Sequence, residues 1–105
     1  MSSMQRRKGF AYEREVVEVL KEAGFKAERC WGSNGRTRGL PEEVDIVCNT
    51  GSDSDLWFQC KRKKAISKYL IPTEGIYATI IREDRGENLA VIRLSDLLTL
   101  MEKLR

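Results

Sequence analysis

The sequence predicts an α/β domain: a helix, three strands, a short helix, two strands and a last helix. Three observations predict it. Apolar residues recur at the spacing of one helix face near both ends, as Val16, Val17, Leu20 and Ala23 and again as Leu97, Leu100, Met101 and Leu104. Between these segments lie short apolar or alternating runs of strand length. Glycine-rich and polar stretches separate the runs, which is how turns are written into a chain.

The bounds agree with one domain spanning residues 1–105, large enough for a modest core without staples. A chain 41% hydrophobic and 33% charged is not wholly disordered. Nineteen Lys and Arg against sixteen acids give a net charge of +3, so any nucleic-acid signal has to come from clustering. There is no histidine, which excludes an imidazole general base and histidine-containing zinc sites. Cys30, Cys48 and Cys60 are odd in number, widely spaced and form no C-x-x-C pair, which argues against a zinc ribbon and for buried thiols in an intracellular chain. No apolar run reaches the length of a membrane span, and residues 1–8 lack the apolar segment of a signal peptide; a cytoplasmic protein without membrane association is expected.

Residues 1–7 read as a flexible arm, with Arg6, Arg7 and Lys8 as a basic cluster at its end. Residues 9–23 read as the first helix, stopped by Gly24. Its glutamates differ. Glu15, Glu18 and Glu22 cluster away from the apolar stripe, whereas Glu13 lies one turn before Val16 and Val17, inside it. Such a carboxylate either serves a site or is a stripe-edge residue that reaches solvent or pairs with an arginine. Residues 25–31 read as the first strand. The loop 32–39 follows, with Ser33, Asn34, Arg36 and Arg38; it either closes over a phosphate backbone or is a solvated loop.

The second strand, 44–49, carries Val44, Ile46 and Cys48 on one face and Asp45 and Val47 on the other. Asp45 is an acid inside an apolar strand, and a buried carboxylate has to be paired, protonated or bound to a cation. The loop 50–55 contains Asp53 and Asp55 but not the spacing of a calcium loop, so it reads as a hairpin connection. In the third strand, 56–61, Leu56, Phe58 and Cys60 form the core face, with Trp57, Gln59 and Lys61 opposite; Arg62, Lys63 and Lys64 follow at once. Residues 65–70 make at most two helical turns before Pro72. Residues 76–82 and 88–94 form a second hairpin around 84–87, and Ser95 caps the last helix.

Three unusual positions therefore converge. A hairpin of strands two and three sets Asp45 beside Gln59, and a helix packed nearby can bring Glu13 to the same point. Three oxygen ligands with the Lys61 ammonium beside them suit a hard divalent cation that keeps some of its water. Such a cation lowers the pKa of bound water and stabilises charge on a phosphate, and the lysine orients the water or the phosphate. The flanking basic residues suit a nucleic-acid backbone.

At these residues the chain resembles the PD-(D/E)XK nuclease superfamily. The helix reads Lys8-Gly9-Phe10-Ala11-Tyr12-Glu13, the second strand Val44-Asp45-Ile46-Val47, and the third Gln59-Cys60-Lys61. Within the superfamily it is most similar to the archaeal and phage Holliday junction resolvase branch, through the Lys8-Gly9 step and Gly32-Ser33 after the first strand. The resemblance covers roughly the first 64 residues. It implies a restriction-endonuclease-like core, a mixed five-stranded sheet flanked by helices. It further implies that Glu13, Asp45 and Gln59 hold Mg2+, with Mn2+ able to substitute, that Lys61 is the catalytic lysine, and that Ser33 lies at the rim. Gln59 departs from the usual resolvase glutamate and is similar to Mrr-type restriction nucleases. The segment after Lys61 is too short for the helix on which resolvases dimerise.

The expected function is a Mg2+-dependent DNA endonuclease, selective for four-way junctions and homodimeric, with no small-molecule cofactor beyond the metal. Arg6, Arg7, Lys8, Ser33, Asn34, Arg36, Arg38, Arg62, Lys63 and Lys64 are the expected DNA contacts. The alternatives are a restriction or repair nuclease of the same fold and a nucleic-acid-binding module that does not cleave. A nucleophilic Cys60 is disfavoured for want of an activating histidine.

Overall fold

The structure, a computed structural model, describes residues 3–30, 39–51 and 55–104. The chain forms two compact units, Met1–Arg62 and Lys63–Leu104.

Among the described residues the first unit is a helix on a three-stranded sheet. Helix α1, Ser3–Glu22, begins six residues before the expected start, so residues 3–7 continue the helix and are not an arm. Val16, Val17 and Leu20 are buried on one face, with Glu13 buried on the same stripe. Gly24 ends the helix at φ +95°, a conformation glycine adopts without cost. Its N–H bonds to the Lys21 carbonyl and that of Phe25 to the Leu20 carbonyl, the bond pair of a Schellman motif, with Phe25 and Leu20 both buried. Strands β1, Lys26–Arg29, β2, Ile46–Asn49, and β3, Asp55–Phe58, pair antiparallel in that order. The register aligns Ala27 with Cys48 and Cys48 with Leu56, and Arg29 with Ile46 and Ile46 with Phe58. Helix α1 packs against β1 and β2. Leu20, Ile46 and Cys48 are fully buried; for the leucine and isoleucine this contributes about 1.5–3 kcal/mol each.

The β2–β3 connection is a hairpin, as expected. The Asn49 Oδ1 accepts the Gly51 N–H at 2.8 Å, and Asn49 Nδ2 donates to Asp55 Oδ1 at 3.0 Å, which ties Asp55 to the hairpin mouth. Asp53 lies outside the described residues. Strand β3 is shorter than expected and ends at Phe58, so Gln59, Cys60 and Lys61 emerge beyond it. The cause is local. The Asp45 carboxylate takes the Cys60 N–H at 2.7 Å, a bond that stands in for a ladder bond. Leu56, expected in the core, is half exposed, as is Trp57.

In the second unit, β4, Ala78–Ile81, and β5, Leu89–Ile92, form an antiparallel hairpin. Its turn closes with the Gly86 N–H on the Glu83 carbonyl. Helix α2, Leu94–Lys103, follows. Ser95 does not cap it. The N-cap is Arg93, whose side chain instead donates to the carbonyls of Pro72, Thr73 and Ile76. Only Met101 of the expected stripe is buried. Leu94, Leu97 and Leu98 are half-buried, while Leu100 and Leu104 are exposed, so the inward face is rotated by about one residue.

Among the described residues the expected five-stranded mixed sheet is not formed. Three strands make one sheet and two make another, both antiparallel. Joining β3 to a parallel β4 requires a crossover, usually a helix with an apolar face. Residues 59–77 contain a single 3-10 turn, Lys68–Leu70, within the one or two helical turns expected at 65–70, and none of its residues is buried. Among the described residues no helix is long and apolar enough to cross a membrane. Cys30 and Cys48 are buried and Cys60 is half-buried.

Candidate active site

An open cleft of about 600 Å³ lies in the first unit. Glu13, Asp45, Gln59 and Lys61 all line it, brought there by α1, the entrance of β2 and the exit of β3.

Asp45 stands at the point where the sheet opens. Its carbonyl accepts the Cys30 N–H at 2.8 Å, and its own N–H donates to the Phe58 carbonyl at 2.9 Å. With Oδ2 on the Cys60 N–H, both backbone and side chain of this half-buried aspartate are held. The same bond places Gln59 and Lys61 at the cleft wall.

Gln59 and Lys61 are exposed, which removes the burial cost that a lysine in mid-strand would carry. Cys60, expected in the core behind them, borders the cleft, because strand alternation does not continue past Phe58. Its thiol is pushed up to about 11, by burial first and then by the charges of Asp45 and Glu13. It stays protonated at neutral pH and is a poor nucleophile.

Glu13 is 8% exposed, the one buried charged side chain among the described residues. Its Oε1 accepts a hydrogen bond from Arg29 Nε at 3.1 Å. Arg29 shares the inward strand face with Ala27, so the pair spans helix and sheet. Burial raises the Glu13 pKa, Asp45 raises it further, and the Arg29 hydrogen bond works against both. The arginine-paired glutamate and the glutamate of a site are thus one residue. Sequence reasoning passed over Arg29, although an arginine two residues from a buried alanine on a strand was a usable signal. It also passed over Phe10, which lines the cleft with its ring 4.8 Å from the Arg29 guanidinium, and Glu42 and Glu43 at the cleft edge.

The basic residues divide. Arg6, Lys8 and Arg62 line the cleft, whereas Arg7 is exposed elsewhere on α1. Lys63 and Lys64 are exposed in the second unit. Ser33, Asn34, Arg36 and Arg38 lie outside the described residues.

Among the described residues no three acids or thiols gather closely enough to cage a metal by themselves. Two carboxylates and an amide fit a cation of the Mg2+ kind, which is held by one or two carboxylates and keeps its waters. They do not fit a closed four-ligand zinc site.

The profile of the archaeal Holliday junction resolvase (Hjc) family matches residues 4–101. The chain belongs to this family. Searches of curated proteins and of solved structures found no match. As a member of the Hjc family the chain is a nuclease of DNA recombination and repair. The match includes Glu13, Asp45, Gln59 and Lys61 and extends through both compact units.

Proposed function

We propose that this protein is a Mg2+-dependent endodeoxyribonuclease that cuts four-way DNA junctions, a single nuclease domain that works as a homodimer in the cytoplasm of a prokaryotic or phage-infected cell. The observation that carries this reading is the meeting of Glu13, Asp45, Gln59 and Lys61 in one cleft of an Hjc-family chain, with Arg6, Lys8 and Arg62 also in its lining.

In this reading Glu13, Asp45 and the Gln59 amide oxygen hold Mg2+, and Mn2+ substitutes for it. A cation held there would supply Lewis-acid chemistry, activating a water and stabilising charge on the phosphate. Arg29 keeps the Glu13 carboxylate pointed into the cleft, and the Cys60 N–H does the same for Asp45. Lys61 donates to the phosphate or orients the attacking water. Arg6, Lys8 and Arg62 seat the strand by its phosphates; Arg7, Lys63, Lys64 and the loop residues Ser33, Asn34, Arg36 and Arg38 extend that contact. Phosphate contacts fix position without reading sequence, as selection by DNA shape requires. Two symmetric cuts on a junction need a two-fold pair of sites, hence the homodimer.

Gln59 favours a second reading, a nuclease of the Mrr kind acting on linear DNA. One assay separates the two. Labelled junction, duplex and single strand are incubated with Mg2+ or with chelator, beside the Lys61→Ala protein. Paired nicks confined to the junction, lost with chelator and in the variant, support the resolvase. Equal cutting of duplex refutes junction selectivity. Binding without cutting of any substrate refutes the nuclease.

A further inference from the structure

Phe10 is an aromatic ring placed outside any core. It sits on α1 one turn before Glu13, is 41% exposed, and lines the same cleft as Lys8, Lys61 and Arg62. The Arg29 guanidinium lies 4.8 Å from the ring centroid, and Arg29 is itself held by Glu13 at 3.1 Å. The ring is therefore ordered from one side before any ligand arrives, while much of it remains open to the cleft.

What such a ring can recognise follows from DNA chemistry. Bases of an intact duplex are stacked on their neighbours and present only edges and backbone to a protein. An unpaired base presents its face, and a face on an aromatic ring is the common contact of proteins that bind unstacked strands. At a branch point the flanking pairs lose a stacking neighbour and open at lower cost, which offers such a base; intact duplex does not. The cations around Phe10 supply the phosphate contacts that bring a strand to the ring.

We propose that Phe10 is a stacking platform for an unpaired nucleobase beside the phosphate held in the cleft. This rests on reading the cleft as a DNA site and deepens it: the preferred substrate carries an unstacked base next to the cut. The Arg29 guanidinium on one side and the base on the exposed side sandwich the ring, so the ring that helps to order Arg29 also reads the substrate.

The test is binding, measured by fluorescence anisotropy in chelator so that no strand is cut. Three labelled probes are used: a short paired duplex, the same duplex with one unpaired thymine, and the same bulge with an abasic residue in place of the thymine. The unpaired thymine binds more tightly than the abasic bulge. Phe10→Ala and Phe10→Leu weaken binding of the thymine bulge by about five- to 150-fold and change the other two probes by less than about twofold, while Phe10→Trp restores the preference. Phe10→Leu keeps an apolar side chain at the position, so a loss it shares with Phe10→Ala reports the missing π-face. Equal losses on all three probes, or no loss on the thymine bulge, overturn the proposal while leaving the cleft a DNA site. Absence of binding by the unaltered protein to every probe overturns the DNA site and the platform together.

Discussion

Replacing Arg29 by methionine tests the central electrostatic relation of the cleft. The side chains of Arg29 and Glu13 are 17% and 11% exposed, so the pair is largely desolvated. Removing one member of a buried pair leaves the other charge uncompensated, at about 3 kcal/mol for a pair that keeps some solvent contact. Loss of the guanidinium over Phe10 adds about 0.5–1 kcal/mol. A destabilisation of about 3.5–4 kcal/mol corresponds to a fall in Tm of roughly 14–32 °C for a chain of this size. The pH dependence carries the sharper expectation. Glu13 already has its pKa raised by burial and by Asp45, with Arg29 opposing both; without Arg29 the pKa rises further. An acid whose folded pKa exceeds its unfolded value binds more protons when folded, so stability falls as pH rises through that interval and the loss is complete above the folded pKa. The Arg29→Met protein is therefore penalised most at neutral and alkaline pH and least near pH 4, about the unfolded carboxylate value. The check is urea unfolding of wild type, Glu13→Gln, Arg29→Met and the double variant, followed by far-UV circular dichroism from acid to alkaline pH. At neutral pH the double variant is more stable than Arg29→Met alone, with a coupling energy of about 1–3 kcal/mol. A destabilisation independent of pH, or a double variant no better than the single one, would refute the argument that an uncompensated Glu13 carboxylate is the cause.

Three further outcomes are expected. Asp45→Asn abolishes cleavage yet keeps an oxygen for the Cys60 N–H, whereas Asp45→Ala also loses about 1–3 kcal/mol of stability; equal unfolding midpoints for the two would dismiss the structural role of that bond. Gln59→Glu keeps cleavage and shifts the Mg2+ titration of activity to lower concentration, because a carboxylate adds charge to the ligand set; complete inactivity would mean that Gln59 does something other than hold metal. Cys60→Ala retains cleavage, and at pH 7 the unaltered protein reacts slowly at Cys60 with thiol reagents, consistent with a thiol pushed up to about 11; rapid labelling in a mass-spectrometric time course would contradict this.

Much of the site was legible without coordinates because its marks are local. Glu13 within an apolar helical stripe, Asp45 within an apolar strand and the Gln59-x-Lys61 step each break a short-range pattern, and pattern reports backbone geometry directly. Antiparallel pairing of two strands joined by a short turn then leaves few registers; it sets Ile46 opposite Phe58 and so brings Asp45 and Gln59 to the same end of the hairpin. Strand ends were less legible. They depend on whether a backbone N–H finds a ladder partner or a side chain, and at Cys60 it found Asp45.

By itself the sequence determined the order of elements, the α1 stripe, the two hairpins, the four residues that meet in the cleft and the family to which they belong. Tertiary structure alone decided that Glu13 is held by Arg29, that Arg29 lies over Phe10, that Cys60 borders the cleft, and that the five strands divide into sheets of three and two. The physical reason is range. Periodicity and turn chemistry act over a few residues, whereas the Arg29–Glu13 pair joins residues sixteen apart, and its energy depends on the water excluded around it when helix and sheet pack.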